Sequence, residues 1–227
     1  MDKYEVLKQY FGYDAFRDGQ EKMIDAITSG RDVLGIMPTG AGKSLCYQIP
    51  ALMAGENGGI TLVISPLISL MKDQVSALNQ AGVHAAYLNS SLTSGQYYKA
   101  LGYAREGRYP IIYVAPERLL TPEFLDFAVH AKIAMVAVDE AHCVSQWGQD
   151  FRPGYLKIEE FLCTLPKRPV VSAFTATATA EVRDDIINLL KLQDPVVTTT
   201  GFDRPNLYFE VQSPKDKYAA VKTYIEE

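Results

Sequence analysis

A glycine-rich loop is the first feature of this chain whose residue types and spacing could do chemistry. It reads MPTGAGKS, from Met37 to Ser44, and joins an apolar run, Asp32–Ile36, to a predicted helix. Glycines let backbone N–H groups converge on phosphate oxygens, and the helix N-terminus adds partial positive charge. Lys43 would neutralise the β- and γ-phosphates of a nucleotide, and the Ser44 hydroxyl would hold Mg²⁺. Met37 stands where the strict phosphate-loop pattern has glycine.

Two neighbouring carboxylates form the second chemical feature. They follow the apolar run Ile133–Val138, which is long enough for a buried strand. A carboxylate at the C-terminal tip of a parallel strand lies where an α/β sheet presents ligands. Asp139 could bind Mg²⁺ through water, and Glu140 could orient or deprotonate an attacking water. A helix N-cap followed by a first-turn acid is the alternative, but the pair and the glycine loop together favour phosphoryl transfer from a nucleotide.

The composition narrows the class of protein. The 227 residues are 48% apolar and 22% charged, which is typical of a globular chain. A formal charge of -5 gives no general attraction to nucleic acid, so DNA contacts must come from a local arrangement. The 3 cysteines lie far apart, which argues against a disulfide framework or a zinc site. We find neither a signal peptide nor a membrane span, and favour a cytoplasmic location, or a nuclear one in a eukaryote.

The elements that must position these residues alternate along the chain. Strand-like runs separated by helix-length segments predict an α/β fold, a mostly parallel sheet with helices on both faces. The predicted strands are Asp32–Ile36, Ile60–Ser65, His84–Leu88, Ile111–Ala115, Ile133–Val138, Val170–Phe174 and Val196–Thr200. Predicted helices include Leu67–Ala81, Ser94–Arg105, Tyr155–Leu165 and Ala180–Leu192. The glycine loop and the carboxylates should meet at the carboxyl edge of the sheet.

The two ends of the chain differ from this alternating region. Residues 1–30 predict a helical preface, with helices at Tyr4–Phe11 and Gln20–Thr28. We therefore expect one domain over residues 1–200 and a junction in the turn-rich stretch 201–206. Residues 207–227 begin with a new apolar run, Leu207–Val211, and should be the first elements of a second domain.

The segment Ser145–Tyr155 carries the only tryptophan, Trp147, together with Phe151 and Arg152. Rings and a cation on a loop rich in glycine and proline suit single-stranded nucleic acid, whose bases stack on aromatic side chains. In the alternative, the aromatic side chains fold back into the core. Three further segments lie at predicted strand ends, Ser65–Gln74, Ala115–Leu119 and Phe174–Thr179. Taken singly, each is explained as simply by a proline turn or a helix cap.

The order of these motifs resembles that of RecQ-family DNA helicases of superfamily 2. The segments that carry the resemblance are Phe11–Tyr13 with Phe16, Arg17 and Gln20, the glycine loop with Leu45–Gln48, Asp139–Cys143, the Trp147 loop and Phe202–Asn206. Met37 matches the family's variant of the phosphate loop. Ala41 stands where many relatives have glycine, and its Cβ should be tolerated if its φ is negative.

The resemblance implies a RecA-like domain that uses ATP and Mg²⁺, with the family's zinc site downstream of this chain. It implies catalytic roles for Lys43, Asp139, Glu140 and His142, and Mg²⁺ coordination by Ser44 and Asp139. The nucleotide would contact Tyr13, Arg17, Gln20, Thr39, Gly40, Ala41, Gly42, Lys43 and Ser44. DNA binding or its coupling to ATP hydrolysis would involve Ser65, Lys72, Arg118, Gln146, Trp147, Phe151, Arg152, Thr175 and Thr177.

The implied function is ATP-dependent unwinding of DNA in recombination and repair, with 3′-to-5′ movement on single-stranded DNA. The partners would be single-stranded and forked DNA and a second RecA-like domain that supplies an arginine finger. By itself this chain should bind nucleotide, hydrolyse it poorly and unwind nothing. A superfamily 2 RNA helicase and a nucleotide-gated binding module are the alternatives.

Overall fold

Seven short, largely apolar strands form one parallel sheet in the computed structural model, which describes residues 1–201, 210–211 and 213–226. The strands are β1 (Val33–Ile36), β2 (Ile60–Ile64), β3 (Ala85–Leu88), β4 (Ile111–Val114), β5 (Ile133–Val138), β6 (Val170–Thr175) and β7 (Val196–Thr199). Their order across the sheet is β3-β4-β2-β5-β6-β1-β7, and each neighbouring pair runs parallel. The predicted α/β class is confirmed.

Helices cover both faces of this sheet, as predicted. They are α1 (Lys3–Val6), α2 (Gln20–Thr28), α3 (Lys43–Gly55), α4 (Ile68–Gln80), α5 (Ser94–Arg105), α6 (Pro122–His130), α7 (Lys157–Thr164), α8 (Ala180–Leu189) and α9 (Lys217–Glu226). Successive strand residues point to opposite faces, so Leu62 and Ile64 join the apolar core beneath α5 to α8 while Val63 joins the core beneath α1 to α4. The sheet is thereby buried on both sides.

Two predicted helices differ from the observed ones. The helix predicted from Ala180 to Leu192 ends at Leu189, because Lys191 is left-handed (φ 51°) and the Leu192 N–H donates to the Ile187 carbonyl, 3.0 Å away. The helix predicted from Tyr155 begins as a 3₁₀ turn, Pro153–Leu156, before α7. α6 was not among the predicted helices.

The preface is helical as predicted, but its first helix changes type. α1 runs directly into a π-helical turn, Leu7–Phe11, which ends at Gly12 with φ 73°. α1 and α2 both pack against α3, the helix that follows the glycine loop. The preface therefore lies beside that loop.

The junction predicted at 201–206 and most of the apolar run 207–211 fall outside the described residues. The tail forms α9. The division into two domains stays a prediction. None of the helices in the described part of the chain has the length and apolar character needed to span a bilayer.

Candidate functional site

The glycine loop connects the end of β1 to the start of α3. Gly40 and Gly42 are left-handed, with φ 85° and 83°, a conformation that glycine adopts without steric cost. Ala41 lies between them and is not among the residues with positive φ, so the condition for tolerating its Cβ is met. Met37 is buried, and its N–H donates to the Thr175 carbonyl at 2.9 Å.

Two side chains of the preface hold the loop in place. The Arg17 guanidinium donates to the Gly40 carbonyl at 2.6 Å. The Gln20 amide donates to the carbonyls of Ala41 and Gly42 at 3.2 and 3.1 Å. A Cβ on Gly42 would overlap this amide and displace it from the loop carbonyls, and the φ of 83° itself favours glycine.

The two carboxylates follow β5 as predicted. The Asp139 N–H donates to the Ile64 carbonyl at 2.8 Å, which extends the β2–β5 ladder to the edge of the sheet. Burial and then the neighbouring Glu140 charge raise the pKa of Asp139 to about 6, while Lys43 opposes the shift. Glu140 is left-handed (φ 48°) and precedes a 3₁₀ turn, Ala141–Val144. A non-glycine residue held in this region stores strain, which is common at functional sites.

A cavity of about 630 Å³ brings these features together. Of the predicted nucleotide and catalytic residues, it is lined by Tyr13, Arg17, Gln20, Thr39, Gly40, Gly42, Lys43, Ser44, Asp139 and Glu140. The Ser44 hydroxyl and the Asp139 carboxylate are oxygen donors of the kind Mg²⁺ prefers. Both residues line the cavity beside the phosphate loop, so their chemistry fits a bound Mg²⁺.

One wall of the cavity was missed by the sequence analysis. α4 and its C-cap contribute Leu70, Gln74, Ala77, Leu78 and Ala81. Their spacing places them on one face of a helix, and this periodicity is visible in the sequence. It could equally describe a face packed on the sheet, so the pattern alone does not identify a cavity wall.

His142 lies beside the carboxylates and contacts the end of β6. Its Nδ1 is 2.8 Å from the Thr175 hydroxyl oxygen and 3.4 Å from a carboxylate oxygen of Glu140. The Thr175 hydroxyl also donates to the Thr177 carbonyl at 3.0 Å. His142 thus connects Glu140 to the segment that follows β6.

The segment 145–152, which we call the aromatic loop, projects from the same edge. Trp147 is 79% exposed, so the alternative in which it folds into the core is wrong, whereas Phe151 is half-buried. The Ser145 hydroxyl donates to the Asp185 carboxylate at 2.6 Å and accepts the Trp147 N–H at 3.1 Å. A Cβ on Gly148 would overlap the His142 carbonyl, which fixes how closely the loop lies over that turn.

The remaining predicted DNA residues lie along one edge, because β4, β2, β5 and β6 are neighbours and each is followed by one of these segments. Lys72, Gln146 and Thr177 are exposed. Arg118 is half-buried, 4.9 Å from the centroid of the Tyr97 ring. Ser65 and Thr175 are buried, and the Ser65 hydroxyl has no hydrogen-bond partner among the described residues.

Several known proteins are similar to this chain in sequence. The ATP-dependent DNA helicase RecQ of Bacillus subtilis is 49% identical over 222 residues, which cover 97% of this chain and 37% of that protein. RecQ of Pasteurella multocida is 49% identical over 205 residues, covering 90% of this chain and 32% of that protein. The chain therefore spans about a third of the length of these curated relatives.

Solved structures share the fold at lower sequence identity. The DUF1998 helicase MrfA bound to DNA has a TM-score of 0.71 at 17% identity, covering 88% of this chain and 29% of that chain. A hypothetical ATP-dependent RNA helicase from Sulfolobus tokodaii has a TM-score of 0.64 at 23% identity, covering 86% and 56%. These neighbours show the RecA-like helicase fold.

A sequence profile of DEAD/DEAH box helicases matches residues 17–186, from Arg17 in the preface to Ile186 in α8. The match includes both the glycine loop and the carboxylates. The similarity to RecQ helicases that the motifs predicted is also confirmed, at 45–49% identity over most of the chain. The chain belongs to the DEAD/DEAH box helicase family.

Proposed function

We propose that this chain is the nucleotide-binding motor domain of an ATP-dependent DNA helicase that moves 3′ to 5′ on single-stranded DNA. The observation that carries the proposal is the cavity that gathers the phosphate loop, both carboxylates and the preface residues in one space. The RecQ relatives are named ATP-dependent DNA helicases and match nearly the whole chain. Roles in recombination and repair and the use of forked DNA rest on the same resemblance.

The nucleotide would lie between the preface and the phosphate loop. Tyr13, half exposed on the cavity wall, would stack on the adenine, with Arg17 and Gln20 at the edge of the base. These last two side chains already hold the loop carbonyls, so base recognition and loop geometry would be coupled. Lys43 and the loop N–H groups would receive the phosphates.

Ser44 and Asp139 would hold Mg²⁺, which supplies charge neutralisation on the phosphates when bound. Glu140 would orient the attacking water and accept its proton. His142, placed between Glu140 and Thr175, would report the state of this site toward the DNA-binding edge. A zinc site and an arginine finger would belong to other parts of the complete protein.

On the DNA side, Trp147 would stack on a base and Arg152 would meet phosphate. Trp147 is 79% exposed, which leaves its indole free to stack on a base. Lys72, Arg118, Gln146, Phe151 and Thr177 would extend the track along the carboxyl edge, and Ser65 and Thr175 would support it from beneath. Closure of a second RecA-like domain over the nucleotide would alternate the grip on the strand.

The test is the Lys43→Ala substitution. We expect it to abolish binding of a fluorescent ATP analogue, because the phosphates lose their cation, while circular dichroism and the melting temperature stay unchanged. Lys22→Ala removes a lysine outside the cavity and is the matched control. Equal nucleotide affinity for Lys43→Ala and the wild-type chain would contradict the proposal.

Two measurements separate the alternatives. In the complete protein, ATPase stimulation by single-stranded DNA should exceed that by RNA of the same length, whereas an RNA helicase would show the reverse. A nucleotide-gated binding module would bind nucleotide with and without Mg²⁺ yet turn over none in the complete protein. Stimulated turnover there would exclude the binding module.

A further inference from the structure

The carboxylates and the aromatic loop are joined by a closed ring of hydrogen bonds. The Tyr155 hydroxyl donates to the Asp139 carbonyl at 2.8 Å. The Tyr155 N–H donates to the Arg152 carbonyl at 2.9 Å, and the Arg152 N–H donates to the Cys143 carbonyl at 2.9 Å. The Cys143 N–H donates to the Glu140 carbonyl at 2.9 Å, and the peptide bond from Glu140 to Asp139 closes the ring.

This ring lies at the base of the aromatic loop, where the chain enters and leaves it. The bond between Cys143 and Arg152 brings the two ends of the aromatic loop together at one base, because Arg152 is the last residue of the loop and Cys143 lies two residues before its first. Arg152 also donates through its guanidinium to the Pro66 carbonyl at 3.1 Å, which ties the same base to the turn after β2. A movement of the loop as a unit must therefore displace Cys143 and Arg152 at its base.

Three of the five ring residues are buried and the other two, Glu140 and Arg152, are half-buried. Tyr155 has no exposed surface, and Cys143 and Asp139 are buried. A buried polar group left without its partner is costly, which favours movement of the ring as one piece over breakage of a single bond. At its far side the ring includes Glu140, whose left-handed backbone is already strained.

We propose that Tyr155 is a positioning residue that transmits the state of the aromatic loop to Asp139 and Glu140. The inference rests on the proposed function and adds to it a specific connection. The three other hydrogen bonds join main-chain atoms, whereas the Tyr155 hydroxyl is the side-chain link and can be removed by substitution. The Tyr155 ring itself fills the core beneath β5, and phenylalanine would preserve this packing.

The experiment measures how much single-stranded DNA changes the affinity of the complete protein for a fluorescent ATP analogue. Binding at one site changes the affinity at a coupled site, typically by about 5-fold or more. We expect single-stranded DNA to change the nucleotide affinity of the wild type by about 5-fold or more, and that of Tyr155→Phe by a factor close to one. The affinity of Tyr155→Phe for nucleotide in the absence of DNA should be little changed. A purely structural role would lower the melting temperature and leave the factor unchanged.

Tyr113→Phe is the matched control. Tyr113 is equally buried, and its hydroxyl accepts a hydrogen bond from the Gln48 amide at 2.9 Å, outside the ring. It should keep the wild-type factor. A wild-type factor in Tyr155→Phe, or no coupling in a wild type that binds both ligands, overturns the inference. A wild type that binds no nucleotide instead overturns the proposed function.

A second measurement covers the case in which Tyr155→Phe does not fold. In the wild-type chain, nucleotide should change the hydrogen exchange of the Cys143 and Arg152 amides, because both lie in the ring, more than that of amides in the core of β3. Unchanged exchange of both amides in nucleotide-saturated protein contradicts the inference. Trp147 is the only tryptophan of the chain, so its fluorescence reports the loop in the same samples.

Discussion

Asp139 carries an electrostatic cost that the rest of the site explains. Its carboxylate is buried beside Glu140, and these two causes together raise its pKa from 3.8 to about 6 despite the opposing charge of Lys43. A cation bound between Asp139 and the phosphate loop would relieve this cost. The residue that would hold the metal is therefore unfavourably placed until the metal arrives, a pattern typical of functional carboxylates.

This placement predicts a pH-dependent stability. The folded state holds the Asp139 proton more tightly than the unfolded state, so between about pH 4 and pH 6 stability falls as pH rises. Asp139→Asn should remove a cost of at most about 3 kcal/mol above pH 6, since one pKa unit corresponds to about 1.4 kcal/mol. Urea unfolding without nucleotide at pH 4 and pH 7.5 checks this.

We expect Asp139→Asn to be more stable than the wild type at pH 7.5 and the difference to shrink toward pH 4. Asp73→Asn removes an exposed carboxylate on α4 and serves as the control. Equal stability of the wild type and Asp139→Asn at pH 7.5 would show that burial does not penalise this charge.

At the scale of elements, Asp32 ties the starts of three strands together. It is buried, just before β1, and its carboxylate accepts hydrogen bonds from Arg168 (2.6 Å), the Val171 N–H (2.9 Å) and the Gln193 N–H (2.7 Å). These donors lie before β6, within β6 and before β7. One carboxylate thus fixes the edge of the sheet opposite to the nucleotide cavity.

Asp32→Ala should destabilise the fold by about 3 kcal/mol, because it leaves a partly buried guanidinium and two N–H groups without their acceptor. Arg31→Ala, which breaks an exposed pair with Asp194, should cost less than about 1 kcal/mol. Chemical denaturation at neutral pH measures both. A cost for Asp32→Ala no larger than that for Arg31→Ala would mean that the carboxylate is not what holds these strand starts.

The strands were predictable from sequence because burial on both faces leaves nearly continuous apolar runs. Val33 to Ile36, for example, is buried throughout, and the predicted strand ends differ from the observed ones by no more than one residue. Tyr155 could not be found in this way. Its role depends on a tertiary hydrogen bond to Asp139, and its sequence context predicts only the start of a helix.

The left-handed Glu140 is a second such case, since Asp-Glu after a strand equally describes an ordinary helix N-cap. The residues that hold the phosphate loop are an intermediate case, because sequence identified the residues but not their contacts. Arg17 and Gln20 were identified through the family resemblance, yet their bonds to the loop carbonyls are tertiary and carry no local signal. Sequence therefore identified the residues that meet in the cavity better than it identified the contacts that position them.

At the scale of the whole molecule, the cavity is lined by the preface, the phosphate loop, α4 and the carboxylates after β5. The phosphate loop and the carboxylates follow strands at the carboxyl edge of the sheet. Phosphoryl transfer requires stabilisation of charge on the far side of the transferred group, and an arginine finger commonly supplies a rate factor of about 10³ or more. The chain spans about a third of the length of its relatives, and the proposed function assigns this stabilisation to a second RecA-like domain.

This argument predicts a separation between binding and turnover. The 227-residue chain should bind an ATP analogue, yet its ATPase rate, with or without single-stranded DNA, should fall short of that of the complete protein by about 10³-fold. Lys43→Ala in the complete protein supplies the background rate, so that a contaminating ATPase is not mistaken for residual activity. Robust, DNA-stimulated turnover by the isolated chain would falsify the view that a second domain completes the site, because every group needed for hydrolysis would then lie within these residues.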